Sequence, residues 1–364
     1  MGGTSKRRRR NDDYPKLRSS QQRKKHLYLA LDDWNGGYSI HRLDDADDIL
    51  DGDSGGGGGE EELPEPAAIR IASRCDMSFA AVGSNIFIGT NRGRNCAPPP
   101  PTLVYDTKTA AISAGPLVPE CIHDLGAAMA VGENLYAPTT VPFIMSTSLQ
   151  VLSMEEPWDP NPTKEWSWNT VPSPSELPFN GIDIIAYAVH RDGRTIFISA
   201  GGCTYALDTS NGVCKELGEW LLPFRGQAFF DSGLDAWVGL HREHDGRVCC
   251  CPATSLSVTT TQQPAECRML MEKLLRRSDE DPKHWSGLRG KATSLTYMGD
   301  SRFALFENIL RSGDLDDGCV IHVTLFALKY NHNNGELKTK ARRATRSYAV
   351  SKHNRMFSHA AFWM

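Results

Sequence analysis

Residues 186–220 run Ala186-Tyr187-Ala188-Val189, Asp192-Gly193, Thr195-Ile196-Phe197-Ile198, then Gly201-Gly202-Cys203-Thr204-Tyr205-Ala206-Leu207-Asp208-Thr209, Asn211-Gly212 and Trp220. Short apolar and β-branched runs alternate here with Asp-Gly, Gly-Gly and Asn-Gly. Such runs suit a pleated sheet, and those dipeptides reach the positive φ of hairpin turns at little cost. The stretch therefore reads as strand, turn, strand, turn, third strand, turn and a closing strand that ends at Trp220.

The same grammar recurs on both sides. Upstream it appears as Ala80-Ala81-Val82-Gly83-Ser84-Asn85-Ile86-Phe87-Ile88 with Leu103-Val104-Tyr105-Asp106-Thr107, and again as Ala128-Met129-Ala130-Val131-Gly132-Glu133-Asn134-Leu135-Tyr136. Downstream, 227–230 and 236–240 flank one turn, 294–297 and 302–306 flank another, and 320–329 precedes Asn334-Gly335. The chain opens the pattern with Leu27-Tyr28-Leu29-Ala30-Leu31 and Tyr38-Ser39-Ile40. A repeat of roughly 40–60 residues with four strands each is the signature of propeller blades. No four-stranded sheet buries both of its faces alone, whereas a ring of sheets does so and leaves only short edges. The expected fold is all-β: one β-propeller over 26–364, with about six blades at that repeat length. Leu27 to Leu31 and the late strand Arg346-Ser347-Tyr348-Ala349-Val350 are expected to close the ring within one blade.

Three segments depart from the pattern. Residues 1–25 form a basic tail expected to be disordered, and 44–66 an acidic, glycine-rich insertion expected to be flexible. In 266–277, Leu270/Leu274 and Met271/Leu275 stand four apart, which predicts a short amphipathic helix packed on the domain.

The formal charge of −4 is a cancellation. The tail holds ten basic residues against Asp12 and Asp13, which leaves −12 on the rest. Lys6, Arg7, Arg8, Arg9 and Arg10, followed by Arg23, Lys24 and Lys25, have the pattern of a nuclear-import signal. Nucleic-acid association through counterion release is the weaker reading, because Tyr14 is the only aromatic available for stacking. A solvated tail is the bland one. Gly55 to Gly59 lie among Asp44, Asp45, Asp47, Asp48, Asp51, Asp53, Glu60, Glu61 and Glu62, carboxylates that would repel a phosphate. No uninterrupted apolar run is long enough for a membrane helix, and the N-terminus has no signal-peptide core. The expected location is nucleus or cytoplasm.

Candidate chemistry is sparse. The ten cysteines contain no C-x-x-C, and Cys249-Cys250-Cys251 would alternate between the faces of a strand. The expected state is reduced and metal-free. His241-Arg242-Glu243-His244-Asp245 is the densest polar cluster; its two histidines are a metal candidate only if further ligands join them. No G-x-S-x-G or H-E-x-x-H is present, so no catalytic residue, metal or cofactor is assigned.

Gly202 to Thr209, Leu217-Gly218-Glu219-Trp220 and Leu222-Pro223-Phe224-Arg225-Gly226-Gln227-Ala228 then carry a resemblance, as do 233–240, Trp285 and 293–299. The sequence resembles the DUF1668 family of grass proteins, a kelch-like group of unknown function. That resemblance implies a kelch-type propeller and no activity. Gly201, Gly202, Tyr205, Asp208, Trp220 and Trp237 would be its structural blade signature. The reading that follows is a non-catalytic scaffold whose loops meet a protein partner. A degenerate, metal-dependent propeller enzyme is the alternative.

Overall fold

The computed structural model describes residues 24–34, 36–43, 59–73, 75–90, 101–123, 125–141, 147–155, 165–173, 176–244, 246–252, 266–276, 293–310, 319–331, 333, 335–340, 344–350 and 358–364. The expected tail at 1–25, apart from Lys24 and Lys25, lies outside them, as does 44–58 of the insertion.

The chain is all-β. β1 (Leu27–Trp34) pairs with β2 (Gly37–Leu43); β3 (Glu60–Glu62) departs to another sheet, and β4 (Ile69–Ala72) returns to β2. A second sheet holds β5 (Met77–Val82), β6 (Asn85–Thr90), β7 (Leu103–Asp106) and β8 (Ala111–Ala114) in antiparallel succession. A third holds β9 (Met129–Val131), β10 (Asn134–Pro138), β11 (Leu149–Glu155) and β12 (Glu165–Thr170). The fourth unit, β13 (Ile184–Val189), β14 (Thr195–Ala200), β15 (Cys203–Asp208) and β16 (Cys214–Gly218), is followed by β17 (Phe224–Asp231), β18 (Ala236–His241), β19 (Val248–Pro252) and β20 (Arg268–Met269). Parallel pairing of β13 with β17 joins these two units. Last come β21 (Thr293–Gly299), β22 (Arg302–Leu310), β23 (Cys319–Tyr330) with a side strand β24 (Leu337–Thr339), β25 (Ala344–Val350), and then β26 (His359–Trp363).

Side chains on successive strand positions face opposite ways, and here both faces are buried. Leu27, Leu29 and Leu31 pack with Phe306, Ile321 and Val323 of the last unit, while Tyr28 and Ala30 pack with Ile86 and Tyr105 of the second. The relation repeats around the molecule. Phe87 and Val104 meet Leu135 and Leu152; Tyr136 and Leu149 meet Ile198 and Leu207. Phe197 meets Trp237, and Val238 meets Phe303. Each unit thus buries one face against the preceding unit and the other against the following one, and the last unit packs on the first.

The strand that meets β1 is β26, with Leu27↔Trp363 through Leu31↔His359 in register. His26 and Met364 exchange backbone hydrogen bonds at 2.7 and 3.0 Å. Residues 346–350, expected to close the ring, belong to β25 and pair with β23. The earlier strand is already occupied on both edges, since β3 takes its other side.

Two further expectations are corrected. The segment expected as a helix near 266–277 has no helix in its described residues 266–276: Arg268 and Met269 pair with Cys250 and Cys249. Those ladder bonds, with Leu270 N–H donating to the Val248 carbonyl, draw the chain out along the sheet edge. The acidic insertion is also ordered at its return. Glu60–Glu62 pair parallel with Ser347–Ala349, Leu63 is buried, and the Pro64 carbonyl accepts from the fully buried His41 at 3.0 Å. The opposite ring nitrogen faces the Asp33 carboxylate at 3.1 Å. Among the described residues, no helix is long and apolar enough to cross a membrane.

Candidate interaction face

The parallel course of β13 and β17 gives the ring two distinct ends. The first strands of successive units start at one end, and each four-stranded antiparallel meander returns there. The connections between units therefore lie at that end, with the loops between second and third strands. Three exposed apolar side chains sit on these connections: Leu117 (65% exposed) after β8, Ile182 (57%) before β13 and Met271 (76%) after β20. Ile185, at the start of β13, is a fourth at the same end. Single exposed apolar residues are ordinary, but connecting loops on a rigid scaffold are where binding residues gather.

The support under Met271 is firm. Leu270 and Leu274 on either side of it are buried with Val238, Leu240 and Phe303. Arg276 donates its backbone N–H to buried Glu307 at 2.9 Å and its guanidinium to Ser347 Oγ at 3.2 Å. Ser347 Oγ also meets His322 Nδ1 at 2.8 Å, and burial, with the Arg276 charge, pulls the His322 pKa down. A neutral imidazole accepts the serine proton there while the serine oxygen accepts from arginine, so Ser347 is a tied structural hydroxyl. Arg247 donates to the Met271 carbonyl at 3.1 Å. Beneath the same connection Gly246, at φ +67°, leaves room for Leu275; a Cβ would stand 2.0 Å from Leu275 Cδ1.

The polar cluster 241–245 joins β18 to β19 at this end; Asp245 lies outside the described residues. His241 and His244 have ring centroids 4.9 Å apart. His241 Nδ1 accepts the backbone N–H groups of Glu243 and His244, both at 3.1 Å. With that lone pair engaged, the ring proton resides on Nε2, and neither nitrogen offers an open lone pair to a metal. Burial, with His244 close by, also lowers the His241 pKa. Arg242 is spent on Glu243 at 2.9 Å. The histidine pair shapes a loop.

The blade-signature residues are architectural. Gly201 and Gly202, at φ +59° and +93°, form the two-residue turn from β14 to β15. Tyr205 packs on Phe179 with centroids 5.1 Å apart. Asp208 accepts from Ser210 N and Oγ in the next turn, which holds its pKa low. Trp220 lies just past β16, against Gly218, where a Cβ would meet its indole at 2.8 Å. Trp237 is fully buried, stacks on His190 and donates Nε1–H to the Val189 carbonyl at 2.7 Å. Of the import candidates, Lys24 and Lys25 are exposed; Lys6, Arg7, Arg8, Arg9, Arg10 and Arg23 lie outside the described residues.

Cys249 and Cys251 face the Trp237 cluster and Cys250 the opposite one, as strand alternation predicts. The expectation of fully reduced cysteines fails at Cys75, which is disulfide-bonded to a partner outside the described residues. Spacing motifs report thiols close in sequence, whereas a disulfide requires only that the fold bring two Cα atoms together. Sequence reading also missed Arg276, Glu307, His322 and Ser347. Glu307, His322 and Ser347 are register partners across β22, β23 and β25, a relation visible only once those strands are paired.

A family description, "Protein of unknown function (DUF1668)", matches residues 24–348. No curated protein matches. Solved structures similar to the chain include Kluyveromyces lactis Hsv2, at 9% identity and TM-score 0.39, covering 86% of this chain and 80% of that one. A nidogen/laminin complex chain is similar at 9% identity and TM-score 0.42, covering 93% and 98%. The WD40 domain of SCAP from fission yeast is similar at 8% identity and TM-score 0.32, covering 87% and 73%.

Proposed function

The chain belongs to the DUF1668 family, and from that premise we propose that it is a non-catalytic protein-interaction scaffold, a six-bladed kelch-type β-propeller that presents one end to a protein partner. The blade number is supported by six inter-sheet clusters that follow one another around the molecule and return to the first sheet. The kelch type is supported by the Gly201-Gly202 turn with Tyr205 and Trp220 downstream. The binding function is carried by one observation: Met271, Leu117 and Ile182, the three most exposed large apolar side chains among the described residues, share one end of the ring. A partner with apolar anchors would remove them from water, each worth about 1.5–3 kcal/mol when fully covered.

Affinity capture of full-length protein beside a Met271→Glu/Ile182→Glu variant tests the reading. Both side chains are exposed, so the variant keeps its melting temperature. The expected result is a reproducible partner set that the variant loses. Capture of nothing beyond background, or of the same set by the variant, refutes it. The basic tail is proposed as a nuclear address; deletion of residues 1–25 should then abolish nuclear accumulation without altering partner capture.

A further inference from the structure

Three thiols on one sheet face are set up for chemistry that the scaffold reading does not use. β19 and β20 are antiparallel, with Cys249 opposite Met269 and Cys250 opposite Arg268. Continuing that register puts Cys267 opposite Cys251, on the face that also carries Cys249. Cys249, Cys251 and Cys267 accordingly pack in one cluster around Trp237, while Cys250 turns away to Tyr330 OH at 3.5 Å. Cys249 and Cys251 are fully buried; Cys267 is only partly so.

We propose that Cys267 and Cys249 are a peroxide-responsive thiol pair that closes to an intramolecular disulfide across β19 and β20. Cys267 is the accessible member and reacts first. Its thiolate attacks one oxygen of hydrogen peroxide, the O–O bond breaks, and the departing hydroxide takes up a proton to leave as water, giving a sulfenic acid. The Cys249 sulfur, deprotonating as it attacks, then displaces hydroxide from that sulfenic acid. The proton and hydroxide leave as a second water and the disulfide remains. Two thiols are oxidised by two electrons in all, and one peroxide is reduced to two waters.

The two sulfurs are unequal in the way this order requires. They are hydrogen-bonded to each other; that bond holds the Cys267 pKa below its ordinary thiol value and, with burial, pushes that of Cys249 well above it. Low pKa and access mark the attacking thiol. Cross-strand neighbours on one face also lie within the Cα separation that a disulfide spans. Cys251 is buried beside the pair with its sulfhydryl donating to the Pro252 carbonyl at 3.9 Å. Cys250 is excluded by facing the other way.

Peptide mapping of the purified full chain after graded hydrogen peroxide tests the proposal. Trypsin leaves all four cysteines in the single peptide 248–268, so the digest uses a glutamate-specific protease. Cleavage after Glu243, Glu266 and Glu272 separates Cys249 from Cys267. The expected product is a cross-linked pair of peptides, 244–266 with 267–272, joined through Cys249 and released by dithiothreitol. A Cys249→Ser variant should instead hold a sulfenic acid at Cys267 that dimedone traps. Cys251→Ser should still form the link. Should Cys249→Ser fail to fold, the partly exposed Cys267→Ser, which must abolish the cross-link, carries the test with Cys251→Ser. A link to Cys251, persistence of the link in Cys267→Ser, or a reduced Cys267 at peroxide doses that oxidise other thiols overturns the proposal.

Discussion

Replacing Asp231 by alanine should loosen the seam between the fifth and sixth four-stranded units more than any change of similar size on the outer strands. Asp231 is buried at the end of β17, and its carboxylate accepts four hydrogen bonds. Leu234 N and Ser301 Oγ reach Oδ1 at 2.8 and 2.7 Å, while Tyr297 OH and Ser301 N reach Oδ2 at 2.8 and 2.9 Å. Three of the four come from the β21–β22 hairpin of the neighbouring unit. The hairpin needs the help: Asp300 and Ser301 are consecutive non-glycine residues at φ +51° and +59°. Such residues cost of order 1–3 kcal/mol each unless their surroundings hold them. A hydrogen bond to a charged group contributes about 1.5–3 kcal/mol, and its loss leaves a buried donor unsatisfied. The four are not independent, so the expected cost of Asp231→Ala is about 4 kcal/mol rather than their sum.

Urea unfolding followed by tryptophan fluorescence and circular dichroism gives the number. Tyr297→Phe alone should cost about 1–2 kcal/mol, because it removes one hydroxyl bonded to a carboxylate. In the Asp231→Ala background the same change should cost almost nothing, since its acceptor is already gone. A loss below about 1 kcal/mol for Asp231→Ala, or an equal cost of Tyr297→Phe in both backgrounds, refutes the latch. The phenol offers a second readout. Burial and the Asp231 carboxylate push the Tyr297 pKa far above its ordinary value, so Asp231→Ala should lower the pH at which this tyrosine ionises in a spectrophotometric titration.

Two further outcomes follow from the first sheet. Burial raises the Asp33 pKa, but hydrogen bonds from His41 and Ser39 outweigh it and hold the group below its ordinary 3.8. Its contribution to stability is therefore complete above that value and disappears as pH falls through the lower folded-state value. Asp33→Asn should flatten the acid limb of stability measured between about pH 6 and pH 2, and an unchanged limb counts against the pairing. Truncation after residue 357 removes the register of β26 with β1 and the packing of Phe362 and Trp363. Even with the two aromatics only partly buried, the loss should be about 3–5 kcal/mol. A truncated chain that melts at the full-length temperature would show that the ring does not depend on β26.

Local signals were legible wherever turn chemistry and alternation agreed. Gly201-Gly202 marked a turn because both positions have positive φ, and Cys249-Cys250-Cys251 alternated as a doubly buried strand must. Partner choice left no such mark. His359-Ala360-Ala361-Phe362-Trp363 carries no address for Leu27, far away along the chain, so the late strand 346–350 was the natural but mistaken choice. Glu60-Glu61-Glu62 has a composition that disfavours strands; β25 recruits it through backbone hydrogen bonds that no propensity scale registers. In 266–277 the i,i+4 leucines suit a helix, yet Leu270 and Leu274 are equally buried by an extended connection that turns Met271 outward. The exposed end was illegible for the same reason. Leu117, Ile182 and Met271 are isolated in sequence, and only the direction of the strands brings them to one side.

Strand direction also decides where the charges go. β1 begins and β2 finishes at the end of the ring opposite those apolar residues, and Leu27 and Leu43 are register partners there. The basic segment 1–25 attaches just before Leu27, and the acidic run from Asp44 begins just after Leu43. A segment of charge +8 and the densest group of carboxylates in the chain are thus tethered at neighbouring points. Oppositely charged tethered segments attract, with a strength that salt reduces over a Debye length of about 8–10 Å. That attraction acts at the end remote from Met271 and Ile182. A partner held by apolar contacts at one end should therefore bind with little dependence on salt, while any ligand of the basic tail competes with the chain's own carboxylates and gains from added salt until its own attraction is screened. The two kinds of binding are separable by ionic strength because the fold has placed their determinants at opposite ends of one rigid body.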